Sequence, residues 1–139
     1  MKVQVAIISE IKQLRFKISK QHQLIDYYEQ MSYSLGGADY SREIVDGTRD
    51  LRAPFEKWLI KKFDAEDKLK IMEKNLSTKV EELELLVEKI EHQEYQMVLT
   101  YRYVLNIDWN EIAKKMNYST STIFRLHRET LQELKKHDS

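Results

Sequence analysis

Leu69, Leu76, Leu83 and Ile90 stand seven residues apart, and this repeat constrains the fold more than any other feature of the chain. A seven-residue apolar repeat keeps one stripe of a helix facing a partner over many turns. Phe55, Trp58, Ala65, Met72 and Leu86 fall on the same seam, Val80 and Val87 broaden it, and Lys62 and Lys79 interrupt it. A second seam lies upstream: Ile7, Ile11, Leu14, Ile18, Ile25, Tyr28 and Leu35 follow alternating three- and four-residue steps, with Gln21 and Ser32 as polar interruptions. At a rise of 1.5 Å per residue, a helix over 3–35 would reach about 48 Å.

The punctuation between the seams is sparse. One Pro and three Gly in 139 residues leave little to break helices, so the predicted class is all-α. Gly36-Gly37 ends the first helix and is no phosphate loop, since no strand precedes it and no G-x-G-x-x-G follows. Residues 36–53 read as a flexible loop, with at most a short helical turn around Arg42–Val45. Pro54 suits the start of a second helix over 54–91, because its missing N–H costs nothing in a first turn. Thr78-x-x-Glu81 has the form of a capping box, but the heptad phase runs through it unbroken, favouring one helix. A shift of apolar phase at Gln93-Glu94 predicts that this helix ends near His92. The predicted organisation is therefore a long antiparallel helical hairpin or coiled coil over 1–91, then a separate helical domain over 92–139.

That second domain is organised around Trp109–Arg128. Tyr95, Val98, Leu99, Arg102 and Tyr103 begin a supporting helix, with Asn106 as its C-terminal cap and Asp108 as the N-terminal cap of the next. Trp109, Ile112, Ala113 and Met116 share one side of a short helix, whose small Ala113 admits a close crossing. Asn117 sits where the chain reverses and is among the few residues that tolerate positive φ. Ser119 caps a last helix over about 119–137, buried through Ile123, Leu126, Thr130 and Leu134. Small residue, turn residue and cap together predict a helix-turn-helix, which places its second helix in the DNA major groove. Helical geometry then turns Thr120, Ser121, Phe124, Arg125 and Arg128 outward. Ser119, Thr120 and the helix N-terminus suit a phosphate, Arg125 a guanine edge, Phe124 a thymine methyl and Arg128 the backbone. An ordinary helical hairpin with two solvated arginines is the plainer alternative, and Phe124 would equally suit a partner subunit.

The stretch YRYVLNIDWNEIAKKMNYSTSTIFRLHRETLQEL resembles region four of bacterial sigma factors, where an arginine-tyrosine helix precedes the helix-turn-helix. Arg102-Tyr103, Trp109-x-x-Ile112-Ala113, Tyr118-Ser119 and Arg125-Leu126-His127 are more similar still to small phage proteins related to the RinA and ArpU type regulators of late transcription. The resemblance is strong over about Glu94–Leu134 and weaker over the rest, where those proteins also begin with two long helices around a loop. It implies a phage-encoded transcriptional regulator acting in the cytoplasm of a bacterial host.

Charge qualifies that expectation. Lys plus Arg and Asp plus Glu are equal at 23 each, so no global field draws the chain to nucleic acid. Weak or partner-dependent DNA binding fits this balance better than tight autonomous binding. Double-stranded DNA is the first expected partner and host RNA polymerase the second, through a sigma-like or co-activating role. A structural coiled-coil adaptor is a third reading. Two seams offering more apolar surface than one hairpin can cover also predict a homodimer through the long helices.

Little points to chemistry. The absence of Cys removes disulfides and thiol catalysis and fits a reducing compartment. His22, His92, His127 and His137 are scattered without metal-ligand spacing, Ser119, Ser121 and Thr122 have no partner base, and acidic pairs such as Glu81-Glu82 read as solvated. Neither an enzyme nor a cofactor or metal site is expected. No apolar run approaches the roughly 18 residues of a membrane span, and the N-terminus lacks the apolar core and cleavage site of a signal peptide.

Overall fold

The computed structural model describes the backbone over residues 3–36 and 52–137 and the side chains over 6–34 and 53–136. The expected loop and its turn around Arg42–Val45 lie outside the described residues. The described chain is all-helical, without strands: α1 (Val3–Gly36), α2 (Arg52–Glu88), α3 (Gln93–Leu99) continuing into a π-helical turn (Thr100–Val104), α4 (Trp109–Met116) and α5 (Thr120–His137). The long α1 and α2 form the antiparallel pair that the seams predict, followed by the short C-terminal helices. Two compact units divide the chain, one of Phe16–Lys74 and one of Met1–Arg15 with Asn75–Ser139.

In the unit of Phe16–Lys74 the helices meet along a partly polar seam. Ile25 and Ala65 are buried together with Gln21 and Ser32. The Gln21 amide donates to the Ala65 carbonyl at 2.9 Å, and the Ser32 hydroxyl to the Glu29 carbonyl at 2.8 Å. Each interruption of the apolar pattern is thus a satisfied polar group, which removes most of the cost of burying it. Lys62 reaches Glu29 at 3.3 Å, an exposed pair that adds little stability. Tyr27 and Tyr28 pack on Trp58 with ring centroids 5.9 Å apart in both cases, and Lys61 lies over Tyr28 and Trp58. Tyr33, Ile60, Phe63 and Ile71 are exposed.

The other unit holds two apolar clusters. Ile7, Ile8 and Ile11 of α1 and Leu83 and Val87 of α2 meet Ile90, Leu99, Tyr103 and Leu134 in the first. Lys79 pairs with Glu10 at 2.9 Å beside it. Val98, Ile112, Ala113, Ile123 and Leu126 form the second, with Tyr95, Ile107, Trp109 and Met116 packed against it. Thr130 is fully buried and donates to the Leu126 carbonyl at 2.6 Å.

Three helix limits differ from the sequence-based expectation. α1 takes in Gly36, and α2 begins at Arg52, with Pro54 inside the first turn, where its missing N–H is still no loss. α2 ends at Glu88 instead of near His92. Tight backbone bonds from Lys89 to Leu86 and from Ile90 to Val87 close it, and the Gln96 amide donates to the Val87 and Ile90 carbonyls. Ile90, nearly inaccessible to solvent, is buried by leaving the helix.

The α3 helix widens at its end, where Leu105 N–H bonds the Thr100 carbonyl and Ile107 N–H the Tyr101 carbonyl. Arg15 donates to the Tyr103 carbonyl at 2.6 Å and the Val104 carbonyl at 3.3 Å, so a cation from α1 satisfies this helix end. Burial, with Arg102 nearby, holds the Arg15 pKa below its usual value.

His127 is a packing residue of the same unit. It shares a 2.7 Å hydrogen bond with the Tyr103 hydroxyl and lies edge-on to Trp109 at 4.8 Å. Burial, then the charges of Lys12 and Arg102, push its pKa down to about 4. A histidine held neutral contributes stability that is complete above pH 6.5 and lost as the pH falls toward 4. The ring is only partly buried, so solvent screening limits the contribution to about 1–2 kcal/mol. Chemical denaturation across this pH window should show that loss in the native chain and not in His127→Gln. Parallel pH profiles for the two would contradict it.

Candidate nucleic-acid interface

The interface candidate starts from how α4 and α5 are joined. Asp108, extended at φ −73° and ψ 154°, caps α4 by accepting from Asn110 N–H at 2.8 Å. Asn117 ends α4 in the left-handed conformation, φ 60° and ψ 42°, where a branched side chain would clash. Tyr118 N–H and Asn117 N–H close the turn on the Ala113 and Lys114 carbonyls. Ser119 then accepts from Thr122 N–H at 3.2 Å and bonds the Thr122 hydroxyl, capping α5. The Tyr118 hydroxyl donates to Glu94, tying the turn to α3. Asn106 also has positive φ, 56°, and ends the segment before α4.

The loop between the π-helical turn and α4 is held by Arg102. Its guanidinium lies over the Trp109 ring at 4.8 Å and donates to the Ile107 carbonyl at 3.1 Å. Among the described residues it makes no ion pair with an acidic side chain.

Ile123 and Leu126 hold one side of α5 in the second cluster. On the other, Ser121, Phe124, Arg125 and Arg128 are exposed and fall on one stripe at helical spacing. Thr120, expected outside, is half-buried at the first position of the helix. Ser119 is exposed, but its oxygen is engaged in the cap. Phe124 is 43% exposed and packs edge-on against Trp109 at 5.5 Å, so a partner subunit is not needed to explain it. Arg125 pairs with Glu129 at 2.9 Å, and Arg128 makes no ion pair among the described residues. Lys114 and Lys115 are exposed in the last turn of α4.

The link from Arg125 through Glu129 to Tyr95 escaped the sequence reading. The four-residue spacing of Arg125 and Glu129 was the available signal for the ion pair; the Tyr95 hydroxyl, 34 residues away, donates to Glu129 at 3.3 Å and had none. Among the described residues no group of three His, Cys, Asp or Glu side chains could hold a metal ion, and no helix is long and apolar enough to cross a membrane.

The strain-free fit of Asn117 is testable. Asn117→Val should lower stability by about 1–2 kcal/mol and Asn117→Gly by much less. An unchanged denaturation midpoint for the valine variant would show that the turn tolerates a branched side chain.

Comparison with curated proteins and with solved structures gives no match. A family model does match, over residues 58–135, which takes in most of α2 and nearly all of the C-terminal helices. The chain therefore belongs to the DUF1492 family, described as proteins of unknown function.

Proposed function

We propose that this protein is a DNA-binding transcriptional regulator that reads double-stranded DNA with α5. The observation carrying this reading is the exposed stripe of Ser121, Phe124, Arg125 and Arg128 on a helix whose opposite side is locked into a core. A capped second helix after a tight turn suits entry into a major groove. Arg125 is the candidate for a guanine edge, Phe124 for a thymine methyl, and Arg128 with Thr120 for phosphates, while the Ser119 hydroxyl stays in the cap. The resemblance of Glu94–Leu134 to sigma region four and to RinA and ArpU type regulators supports a role in late phage transcription in the bacterial cytoplasm. The exposed Ile60, Phe63 and Ile71 on α2 support a homodimer through the long helices.

Zero net charge and the engagement of Arg125 by Glu129 favour a second reading. In it the chain is a sigma-like or co-activating factor that binds RNA polymerase and has little DNA affinity alone.

A gel shift on DNA upstream of the neighbouring gene cluster, with and without polymerase, separates the two. Retardation by the chain alone supports the first reading, and retardation only with polymerase supports the second. None in either case contradicts both. On the first reading Arg125→Ala should cost about 1–3 kcal/mol and relax preference at one base pair, while Arg128→Ala should weaken all sequences alike and reduce the salt slope by about one. Unchanged binding by the double variant would remove α5 as the reading surface. Light scattering of the free chain should give the mass of a dimer; a folded monomer at high micromolar concentration would contradict that part.

A further inference from the structure

Arg125 is a long side chain on an open surface, and such a group ordinarily samples many rotamers. Here its guanidinium is tied back through two residues. Its Nη1 donates to Glu129 Oε2 at 2.9 Å, one turn along α5. The other oxygen of that carboxylate, Oε1, accepts from the Tyr95 hydroxyl of α3 at 3.3 Å. Tyr95 is itself stacked on His92, with ring centroids 4.0 Å apart and planes 14° from parallel. Tyr95 also packs against both apolar clusters of its unit, so the relay starts from a fixed point.

We propose that Tyr95 and Glu129 are positioning residues that hold the Arg125 guanidinium in one orientation, with its remaining donors turned to the ligand. This inference rests on the DNA-binding reading of α5. A guanidinium has five N–H donors in a planar fork, and Glu129 engages it through Nη1. Among the described residues no bond is made by Nη2 or Nε, the side that suits two parallel bonds to the O6 and N7 acceptors of a guanine. Fixing the fork beforehand removes part of the ordering cost at binding. Glu129 also lowers the net charge at this point, so Arg125 serves selectivity, whereas Arg128, with no ion pair among the described residues, serves general attraction to phosphate.

The test combines two measurements on the full chain. Tyr95→Phe keeps the ring and removes only the hydroxyl, and Glu129→Gln removes the charge. Thermal denaturation verifies that both variants fold. NMR of the arginine side-chain N–H groups should show restricted guanidinium rotation at Arg125 in the native chain and faster rotation in both variants. Two probes are then titrated: the duplex that the native chain enriches from a randomised library, and a random-sequence duplex. Each variant should lose about threefold to fivefold affinity for the enriched duplex, the upper range for an exposed charge pair, with the random duplex unaffected by Tyr95→Phe. Equal rotation at Arg125 in the native chain and in Tyr95→Phe would overturn the relay. Restricted rotation in a chain that enriches no duplex would overturn its use in base reading together with the DNA-binding reading itself.

Discussion

Leu99, Tyr103 and Leu134 belong to the C-terminal helices, but the surface that covers them comes from elsewhere in the sequence. Ile7, Ile8 and Ile11 at the start of α1, with Leu83 and Val87 at the end of α2, close that cluster. Burying a side chain of this size stabilises by about 1.5–3 kcal/mol, against less than about 1 kcal/mol for an exposed pair such as Lys79 with Glu10. The apolar contacts therefore decide the arrangement, and the ion pairs adjust it. Arg15 follows from the same packing: once α1 lies here, its guanidinium reaches the Tyr103 and Val104 carbonyls that the π-helical turn leaves open.

The result is a packed frame behind an open face. α4 and α5 share the second cluster, Asn117 and Ser119 fix the turn between them, and Arg102 clamps the preceding loop on Trp109. Trp109 in turn supports Phe124 and His127 from one side. Polar groups inside this frame are spent on the frame, as with Thr130 and the His127–Tyr103 pair. Among the described residues, the exposed side chains of α4 and α5 include those of the outer stripe and the two lysines at the end of α4.

Much of this was legible in the residues. The heptad seams announced the antiparallel pair, and Asp108, Asn117 and Ser119 announced the caps and turn, because each depends on a residue type at a fixed local spacing. Gln21, Ser32, Lys62 and Lys79 looked like defects in the seams and are hydrogen-bonded or ion-paired groups: Ser32 bonds within its own helix, and the partners of Gln21, Lys62 and Lys79 lie across the interface, where no local pattern reaches. Ile8 is off the first seam and still buried, since the C-terminal helices cover a further side of α1. Likewise Arg15 with Tyr103 and Gln96 with Val87 join residues whose pairing no local pattern encodes. The early end of α2 is set by the Gln96 contact and the burial of Ile90, so periodicity alone placed it too late. At the candidate interface, orientation followed from helical geometry, but the restraint on Arg125 by Glu129 and Tyr95 needed the third dimension.

The central claim is that the outer stripe of α5 is where the chain meets nucleic acid. Mapping NMR chemical-shift changes on the full chain during titration with duplex DNA tests it most directly. The account predicts changes concentrated at Ser121, Phe124, Arg125 and Arg128 and the neighbouring turn, with Ile7, Leu83 and Leu134 unmoved. A response confined to the long helices, with the stripe silent, would contradict it.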